Sequence, residues 1–249
     1  IRRPPRSTLS SSSAASDVYK RQILNILTVK NLIFNFFLVF NLHAFGFSLS
    51  EYKNFYSTDG AQVIESLEKI DDKYWSMESN AEHSLFNFYQ KSIFYIENDQ
   101  IYLVEMQRNL RAFGGLRKEK QEYKINQETK EVEYVFNKKT GKFNFDEFLH
   151  GNLTLQLQLK FDLDTNKIPL INKYYFLDKG KIKSKKFTTE FNDEEDNPPS
   201  FKITEIRDDD RAYSLWFKDD EYLTTYKIFN DFGARTAVWK LDQSKPLEE

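Results

Sequence analysis

Three clusters of acidic residues are the first candidates for chemistry in this sequence: Asp193–Asp196, Asp208–Asp210 and Asp219–Glu221. Paired carboxylates of this kind can cleave glycosidic bonds, one acting as acid and the other as base or nucleophile. Each cluster lies in a polar segment typical of a turn, where Asp caps the backbone and stays solvated. Adjacent residues of a strand also point to opposite faces. We therefore predict surface turns here and no catalytic residues.

Histidine is too scarce for a zinc site. Only His83 and His150 follow residue 46, whereas zinc needs three or four His, Cys or carboxylate ligands. The chain has no Cys, so thiolate ligands and Cys nucleophiles are excluded as well. We predict that both histidines lie at the surface or in turns and that no metal is bound.

One segment begins like a calcium-binding loop, because Asp162, Asp164 and Asn166 alternate with other residues. An EF-hand loop also needs Gly at its sixth position and Glu at its twelfth. Lys167 and Lys173 occupy those positions, and their charges would repel the cation. We predict no calcium site.

Neither a GxSxG nucleophile turn nor a Gly-rich phosphate-binding loop occurs. The isolated pair Gly114-Gly115 indicates a bulge or a turn. Because Lys181, Lys183 and Lys185 share one face of a predicted strand, they could bind an anionic partner such as a lipid headgroup or a glycan. Lysines on a strand more often protect a sheet edge from pairing with another chain, and we favour that interpretation.

The length of the chain allows one large domain or two small ones. The chain has 249 residues, a net charge of -2 and 16% aromatic residues. All-β domains commonly reach this length, and the near-neutral charge gives no indication of nucleic-acid binding. The aromatic residues suit a thick β core, although they could also line an apolar pocket for a lipid or an acyl chain.

The first 46 residues are predicted to stand outside the fold. Residues 1–22 closely resemble translated sequencing-adapter DNA, and we exclude them from the fold. Residues 23–46 contain one lysine, the apolar run Leu32–Phe40 and small residues at alternate positions. This pattern is typical of a cleavable signal peptide with cleavage after Gly46 or Ser48, and we place its start near Val29. Export to the periplasm of a Gram-negative bacterium follows as an expectation.

The remaining chain is predicted to be one β domain, residues 47–243, followed by a tail, residues 244–249. Apolar residues alternate with polar ones in segments such as Tyr102–Met106 and Tyr213–Phe217, which is typical of half-buried strands. Turn-forming clusters separate the segments by about 8–12 residues. We expect about 12 antiparallel strands by this criterion.

Periodicity alone leaves one segment undecided. Leu153, Leu155, Leu157 and Leu159 alternate as in a strand, but every second one also falls on a single helical stripe. Asp146 and Asn152 are each plausible residues to cap the start of such a helix.

Several short motifs resemble a family of exported bacterial proteins known as domain of unknown function 3108. They are Lys91–Phe94 with Asn98–Gln100, the tract that ends in Phe113-Gly114-Gly115, Leu153–Leu163, and Arg211–Phe217 with Tyr222-Leu223 and Lys227-Ile228. The sequence departs from the family at His150–Asn152 and at Thr224. The resemblance implies a strongly curved or partly closed antiparallel sheet with one helix at the Leu-rich segment.

Arg211 and Trp216 are the most specific of the shared residues. We expect Trp216 to pack in the core or in a cavity wall, and Arg211 to pair with carboxylates or to bind an anionic group. They are our candidates for ligand-binding residues, although a structural role explains both.

Three functions remain open. The first is a non-enzymatic periplasmic protein, without cofactor, that binds an apolar or amphiphilic ligand or an envelope partner on the concave face. The second is a structural or assembly factor that acts through a sheet edge. The third is a carboxylate-dependent hydrolase. No membrane span is expected in the mature chain, because the apolar run is shorter than the roughly 20 residues that a spanning helix needs.

Overall fold

A computed structural model describes residues 49–58, 60–83, 86–165, 173–192, 200–207, 212–218, 224–230 and 236–247. All of them belong to one compact unit, Phe47–Glu249. The predictions for the adapter-like segment, the signal peptide and the cleavage after Gly46 fall on residues outside this part of the chain. At the second cleavage site, Ser48 is likewise not described.

Thirteen strands form one antiparallel sheet built from two meanders. The first meander contains β1 (Tyr52–Thr58), β2 (Ala61–Lys69), β3 (Tyr74–His83), β4 (Phe86–Glu97), β5 (Gln100–Ala112), β6 (Arg117–Asn126), β7 (Glu131–Phe136) and β8 (Lys139–Asn144). The second contains β12 (Phe187–Asn192), β13 (Ser200–Glu205), β14 (Ala212–Lys218), β15 (Thr224–Asn230) and β16 (Thr236–Pro246). Because β16 pairs with β1, the two meanders join in mid-sheet, and β8 and β12 are its two edges.

A second, smaller sheet lies between the two meanders in the sequence. It consists of β9 (Leu149–His150), β10 (Tyr174–Asp178) and β11 (Lys181–Lys185), with β10 in the middle. The β9–β10 pair is parallel, so the chain must cross over between these two strands. The helix α1 (Asn152–Asp164) lies in this crossover.

The sheet is curved around α1. One stripe of the helix, Leu153, Leu157 and Phe161, packs in a cluster with residues of β1–β5. The other stripe, Leu155, Leu159 and Leu163, packs with residues of β10 and β12–β14. Strands from distant parts of the sheet order therefore contact one helix, which requires the sheet to bend around it.

The predicted fold class is confirmed: the protein is mainly β, with one large curved antiparallel sheet, open between β8 and β12, and one short helix. The count of about 12 strands was close, since the main sheet has 13. Strand β16 continues to Pro246 because Ser244 and Lys245 pair with β1. The first residues of the predicted C-terminal tail thus belong to the sheet.

The Leu-rich segment is a helix, but its first turn differs from the prediction. Gly151 is the capping residue, in place of Asp146 or Asn152. The Gly151 N–H donates to Thr154 Oγ1 at 2.8 Å, which satisfies one of the free donors of the first turn. A Cβ at position 151 would lie 2.6 Å from Met106 Sδ, so glycine lets the helix start close to β5.

Candidate functional site

The concave side of the sheet is occupied by α1. Every residue from Leu153 to Leu163 is buried, including the polar Gln156, Gln158 and Lys160. A helix buried on all sides is a core element and does not leave one face for a ligand. The cavity that the high aromatic content suggested is therefore filled by the protein's own helix where the structure describes it.

A row of polar side chains crosses the inner face of six neighbouring strands. Successive members are directly paired in the register, and all are buried except Arg108, which is half-buried: Asn54, Glu65, Ser79, Gln90, Arg108 and Gln121. Asn54 Oδ1, Ser79 Oγ and Arg108 Nε have no hydrogen-bond partner. Buried polar atoms without partners are uncommon, and this row is the strongest polar feature of the interior.

One end of this row joins the main sheet to the small sheet. Gln121 Nε2 donates to Glu119 Oε1 at 2.8 Å and to Asp178 Oδ1 at 3.1 Å, while its Oε1 accepts from the Lys179 N–H at 2.7 Å. Arg108 lies 3.5 Å from Glu119 and 3.8 Å from Asp178. The network fixes the β10–β11 turn against β5 and β6.

Glu119 and Asp178 form a close pair of carboxylates, because both accept from the Gln121 amide group. A general acid needs a raised pKa. Burial acts to raise the pKa of Asp178, but the ion pair with Lys183 and the hydrogen bond from Gln121 lower it overall. This carboxyl group stays ionised, which suits a structural ion pair and not a proton donor.

A second polar group ties the small sheet to β13. Lys185 Nζ lies 3.0 Å from Glu205 Oε2, and Arg207 lies 3.4 Å from the same oxygen. The ammonium group stands over the rings of Phe176 and Tyr213, at 4.9 and 4.7 Å from their centroids. Burial lowers the pKa of Lys185, with Glu205 opposing that shift. Lys185 therefore belongs to the interior and not to a protective edge.

His150 is buried, contrary to the prediction of a surface or turn position. It is 2% exposed and its Nδ1 has no partner. Burial lowers the pKa of His150 to about 4, far below the value of about 6.5 for an unfolded chain. Because β9 pairs with β10, the side chain lies 6.4 Å from the Tyr174 ring, between centroids.

The buried His150 gives a pH dependence of stability. Between pH 6.5 and 4 the unfolded chain binds a proton that the folded chain excludes, so stability is complete above this window and falls as the pH drops. We expect the free energy of unfolding to fall by about 2 kcal/mol between pH 7.5 and pH 5 from this group alone. Urea unfolding at both pH values measures it.

The control for this prediction is the other described histidine. In His150→Leu, the fall in the free energy of unfolding between pH 7.5 and pH 5 should be smaller by about 2 kcal/mol. In His83→Gln, the fall should be the same as in the wild-type protein. An unchanged pH dependence in His150→Leu would show that His150 protonates in the folded protein.

Of the two predicted ligand-binding residues, Trp216 alone lies in the described part of the chain. Arg211 lies outside the described residues. Trp216 is half-buried and pairs with Lys202, whose ammonium group lies 5.7 Å from the ring centroid. Its neighbours Leu215 and Phe217 are in the core cluster, so Trp216 points to the opposite, outer face. The prediction of a core or cavity-wall position was wrong.

The remaining candidates from the sequence are the three acidic clusters and the segment that begins like a calcium-binding loop. The three acidic clusters lie outside the described residues. Asp162 accepts from Tyr174 Oη at 2.5 Å and from Gln158 at 3.0 Å within the core, so it is committed to internal contacts. In the described part of the chain, no three His, Asp or Glu residues gather into a possible metal site.

Three hollows that the structure describes have volumes of about 490, 380 and 480 Å³, and none of the three is lined by a residue of α1. Among the described helices, none combines the length and the apolar character that crossing a bilayer requires.

The edge strands differ in how they are protected. Strand β8 carries Lys139 and Lys142, both exposed, and the small-sheet edge β11 carries the exposed Lys181 and Lys183. Strand β12 contains a single charged residue, Glu190. Charged side chains, especially lysines, are a common protection of edge strands, so β12 is the least protected edge in the described part of the sheet.

Sequence reasoning did not find this edge. Exposed side chains on β12 include Thr188, Glu190 and Phe191, with Phe191 55% exposed. The run FTTEF has high β propensity and little charge, which was a usable signal. What was missing is the strand order, in which β12 pairs with β13 alone while β16 pairs with β1.

The overall shape is similar to a known fold. The crystal structure of a β-barrel-like protein of domain of unknown function DUF1849 from Brucella abortus matches 80% of this chain and 99% of its own, with a TM-score of 0.53 and 9% identity. Neither a family model nor a curated protein matches the chain. The chain thus has a β-barrel-like fold, and the resemblance to domain of unknown function 3108 stays a prediction.

Proposed function

We propose that the protein is a non-enzymatic binding protein that holds an extended segment of a partner protein along the β12 edge. The observation that carries this proposal is the contrast between a concave side filled by α1 and an edge strand with little protection. Because the interior offers no described opening, binding has to use an outer surface. Of the edges, β12 is the one that a further strand can approach most easily.

The backbone of β12 has hydrogen-bonding groups directed away from β13. The Ile206 N–H donates to the Lys186 carbonyl at 2.8 Å. Hydrogen-bonded pairs alternate along an antiparallel ladder, so Phe187, Thr189 and Phe191 turn their N–H and C=O groups to the free side. An added strand would pair with these groups, as in other cases of strand addition.

The side chains of β12 indicate the kind of segment that fits. Phe191 packs against Phe201 with tilted rings, the ring centroids 5.1 Å apart, and leaves more than half of its surface exposed. The single charge, Glu190, is paired with Lys202 at 3.2 Å. A segment with alternating apolar side chains and no proline would cover the phenylalanine and keep the ladder complete.

Export to the periplasm is part of the proposal. It is supported by the signal-peptide pattern in residues 23–46 and by the absence of Cys, because a chain without Cys cannot mispair in an oxidising compartment. A partner would then be an envelope protein.

Thr189→Pro tests the strand-addition step. Proline removes the N–H that faces the free side without removing a bond to β13. Thr189→Val is the matched control, because it changes the side chain and keeps the N–H. A photo-crosslinking residue at position 188 should form a protein adduct in the producing cell in the valine background and none in the proline background.

Two results would contradict strand addition: no adduct in either background, or an adduct of equal yield in both. Thermal unfolding followed by circular dichroism shows whether the proline variant is folded. If it is not, Thr189→Lys gives the same test, since a charge on the edge also opposes pairing.

An amphiphilic ligand on the concave face has weaker support. The unpartnered atoms of the polar row could bind polar groups, but the residues around them are almost completely buried and α1 occupies the adjoining space. Such a ligand would have to displace the helix. The proposal also assigns no active site to Glu119 and Asp178, and the ion pairs that hold both carboxylates support this.

A further inference from the structure

The turn between β5 and β6 exposes two large apolar side chains. Phe113 is 62% exposed and Leu116 is 92% exposed. They are the first and last residues of a four-residue turn closed by a hydrogen bond from the Leu116 N–H to the Phe113 carbonyl, at 3.2 Å. Folding gains little from apolar groups that remain in water.

The conformation of this turn is also unfavourable for Phe113. Its φ is +52°, and Gly114 and Gly115 follow at +63° and +93°. A large residue in the left-handed region is uncommon and strained. A Cβ at Gly114 would meet nothing within 4 Å, so there is open space beside the tip at this residue. Strain and exposure together indicate that the tip serves a contact outside this chain.

Basic residues surround the apolar tip. Arg111 and Lys118 are directly opposite each other on β5 and β6, and Arg117 follows the turn at once. A Cβ at Gly115 would lie 3.1 Å from Lys118 Cε and 3.2 Å from Arg111 Nε, so both side chains lie against the turn. No described carboxylate forms an ion pair with these three residues. Like charges directly opposite are destabilising in a sheet unless an anion joins them.

A hollow of about 480 Å³ next to the tip has a lining that suits an anionic headgroup. Arg111, Lys118 and Lys120 line it together with the amide side chains of three asparagines. The single acidic residue of the lining is Glu119, which lies 3.5 Å from Arg108, and the Lys120 ammonium group is paired with Glu122. Positive charge therefore remains mainly at Arg111 and Lys118.

The geometry points to a membrane-surface contact: Phe113 and Leu116 enter the interface of an anionic phospholipid bilayer while Arg111, Arg117 and Lys118 meet the headgroup phosphates. Apolar groups surrounded by basic ones bind such surfaces through burial of apolar area and through electrostatic attraction to anionic lipid. Each cation near an anionic surface adds to the attraction. This contact is independent of strand addition at β12.

The opposite end of the first meander provides a contrast. The β2–β3 turn is separated from the β5–β6 turn by three strands, so the two turns lie at opposite ends. It also exposes an apolar residue, Ile70, which is 51% exposed, but around it Asp71 and Asp72 balance the charges of Lys69 and Lys73. This turn therefore has an exposed apolar side chain without an excess of positive charge, which makes it a matched control.

A fluorescent label tests where the protein touches lipid. Because the chain has no Cys, Leu116→Cys and Ile70→Cys each give one site for an environment-sensitive dye such as NBD. With vesicles of phosphatidylcholine and phosphatidylglycerol at 3:1, we expect about a twofold rise in emission for the label at 116 and no change at 70. Equal responses at both positions would overturn the inference.

Vesicle flotation tests which residues supply the binding. Phe113→Ser with Leu116→Ser should lower the partition coefficient about tenfold, whereas Ile70→Ser should leave it unchanged. Arg111→Gln with Lys118→Gln should remove the preference for the mixed vesicles over pure phosphatidylcholine. All variants contain the same residues 1–46, so any contribution of this segment to vesicle binding cancels when the variants are compared with the wild-type protein.

Absence of binding by the wild-type protein, or full binding by the double serine variant, would overturn the membrane contact. Binding to pure phosphatidylcholine as strong as to the mixed vesicles would overturn the part assigned to the basic residues. None of these three results bears on the photo-crosslinking at position 188, so the two proposals fail separately.

Discussion

Phe161→Ala should lower the free energy of unfolding by about 3–5 kcal/mol, the range found when a large buried aromatic side chain is removed. Phe161 is fully buried on α1 and packs in one cluster with Tyr52, Leu67, Met77 and Phe94. The cavity left behind cannot close easily, because the strands around it are held in a continuous ladder. Since small domains are stable by only about 5–15 kcal/mol, this single change removes a large share of the total.

Urea unfolding followed by circular dichroism measures the effect of Phe161→Ala, and Ile70→Ala is the control. Ile70 is exposed at a turn, so its loss should change stability by less than about 0.5 kcal/mol. A cost below about 1 kcal/mol for Phe161→Ala would mean that α1 is not the packed centre of the fold.

Gln158→Leu should cost about 3 kcal/mol, because it leaves several buried polar groups without partners at about 1–3 kcal/mol each. The Gln158 carbonyl accepts from the Ile101 N–H at 2.9 Å, and its amide group donates to the Asp99 carbonyl at 3.2 Å and to Asp162 at 3.0 Å. These bonds join α1 to the β4–β5 turn.

The control for Gln158→Leu is Gln107→Leu, the same change at an exposed position of β5. It should be neutral to within about 0.5 kcal/mol. Hydrogen exchange adds a local measurement, since the Ile101 amide should lose protection in Gln158→Leu and keep it in Gln107→Leu. Unaltered protection of the Ile101 amide in Gln158→Leu would show that the hydrogen bond from Ile101 to Gln158 does not contribute to stability.

The fold class was predictable because one face of most strands is buried. Alternation such as Tyr213, Leu215 and Phe217 is read directly from the sequence, and all three side chains belong to or pack on one core cluster. The same alternation already places Trp216 on the other face. The expectation of a core position for Trp216 came from its five-residue spacing from Arg211, which places the two residues on opposite faces of a strand but does not say which face is buried.

The undecided Leu-rich segment has a physical explanation. The stripe Leu153, Leu157 and Phe161 faces one wall of the curved sheet, and the stripe Leu155, Leu159 and Leu163 faces another. A helix buried on two sides therefore carries apolar residues at every second position, which is also the pattern of a strand. Periodicity could not separate the two, whereas the family resemblance pointed to the helix.

The burial of His150 and the exposed edge could not be predicted, because both depend on contacts between distant parts of the chain. His150 is buried because β9 pairs in parallel with β10 after the α1 crossover. Strand β12 is an edge because it pairs with β13 alone, whereas β16, at the other end of the same meander, pairs with β1, more than 180 residues away in sequence. Local patterns contain no information on either pairing.

Whether the concave side is truly filled is tested most directly by native mass spectrometry. The protein is purified without detergent and measured before and after incubation with oleic acid. We expect the mass of the polypeptide alone in both spectra, because α1 occupies the space that an acyl chain would need. A one-to-one adduct that persists when Phe113 and Leu116 are both replaced by serine would contradict this and would show that the interior accepts a ligand.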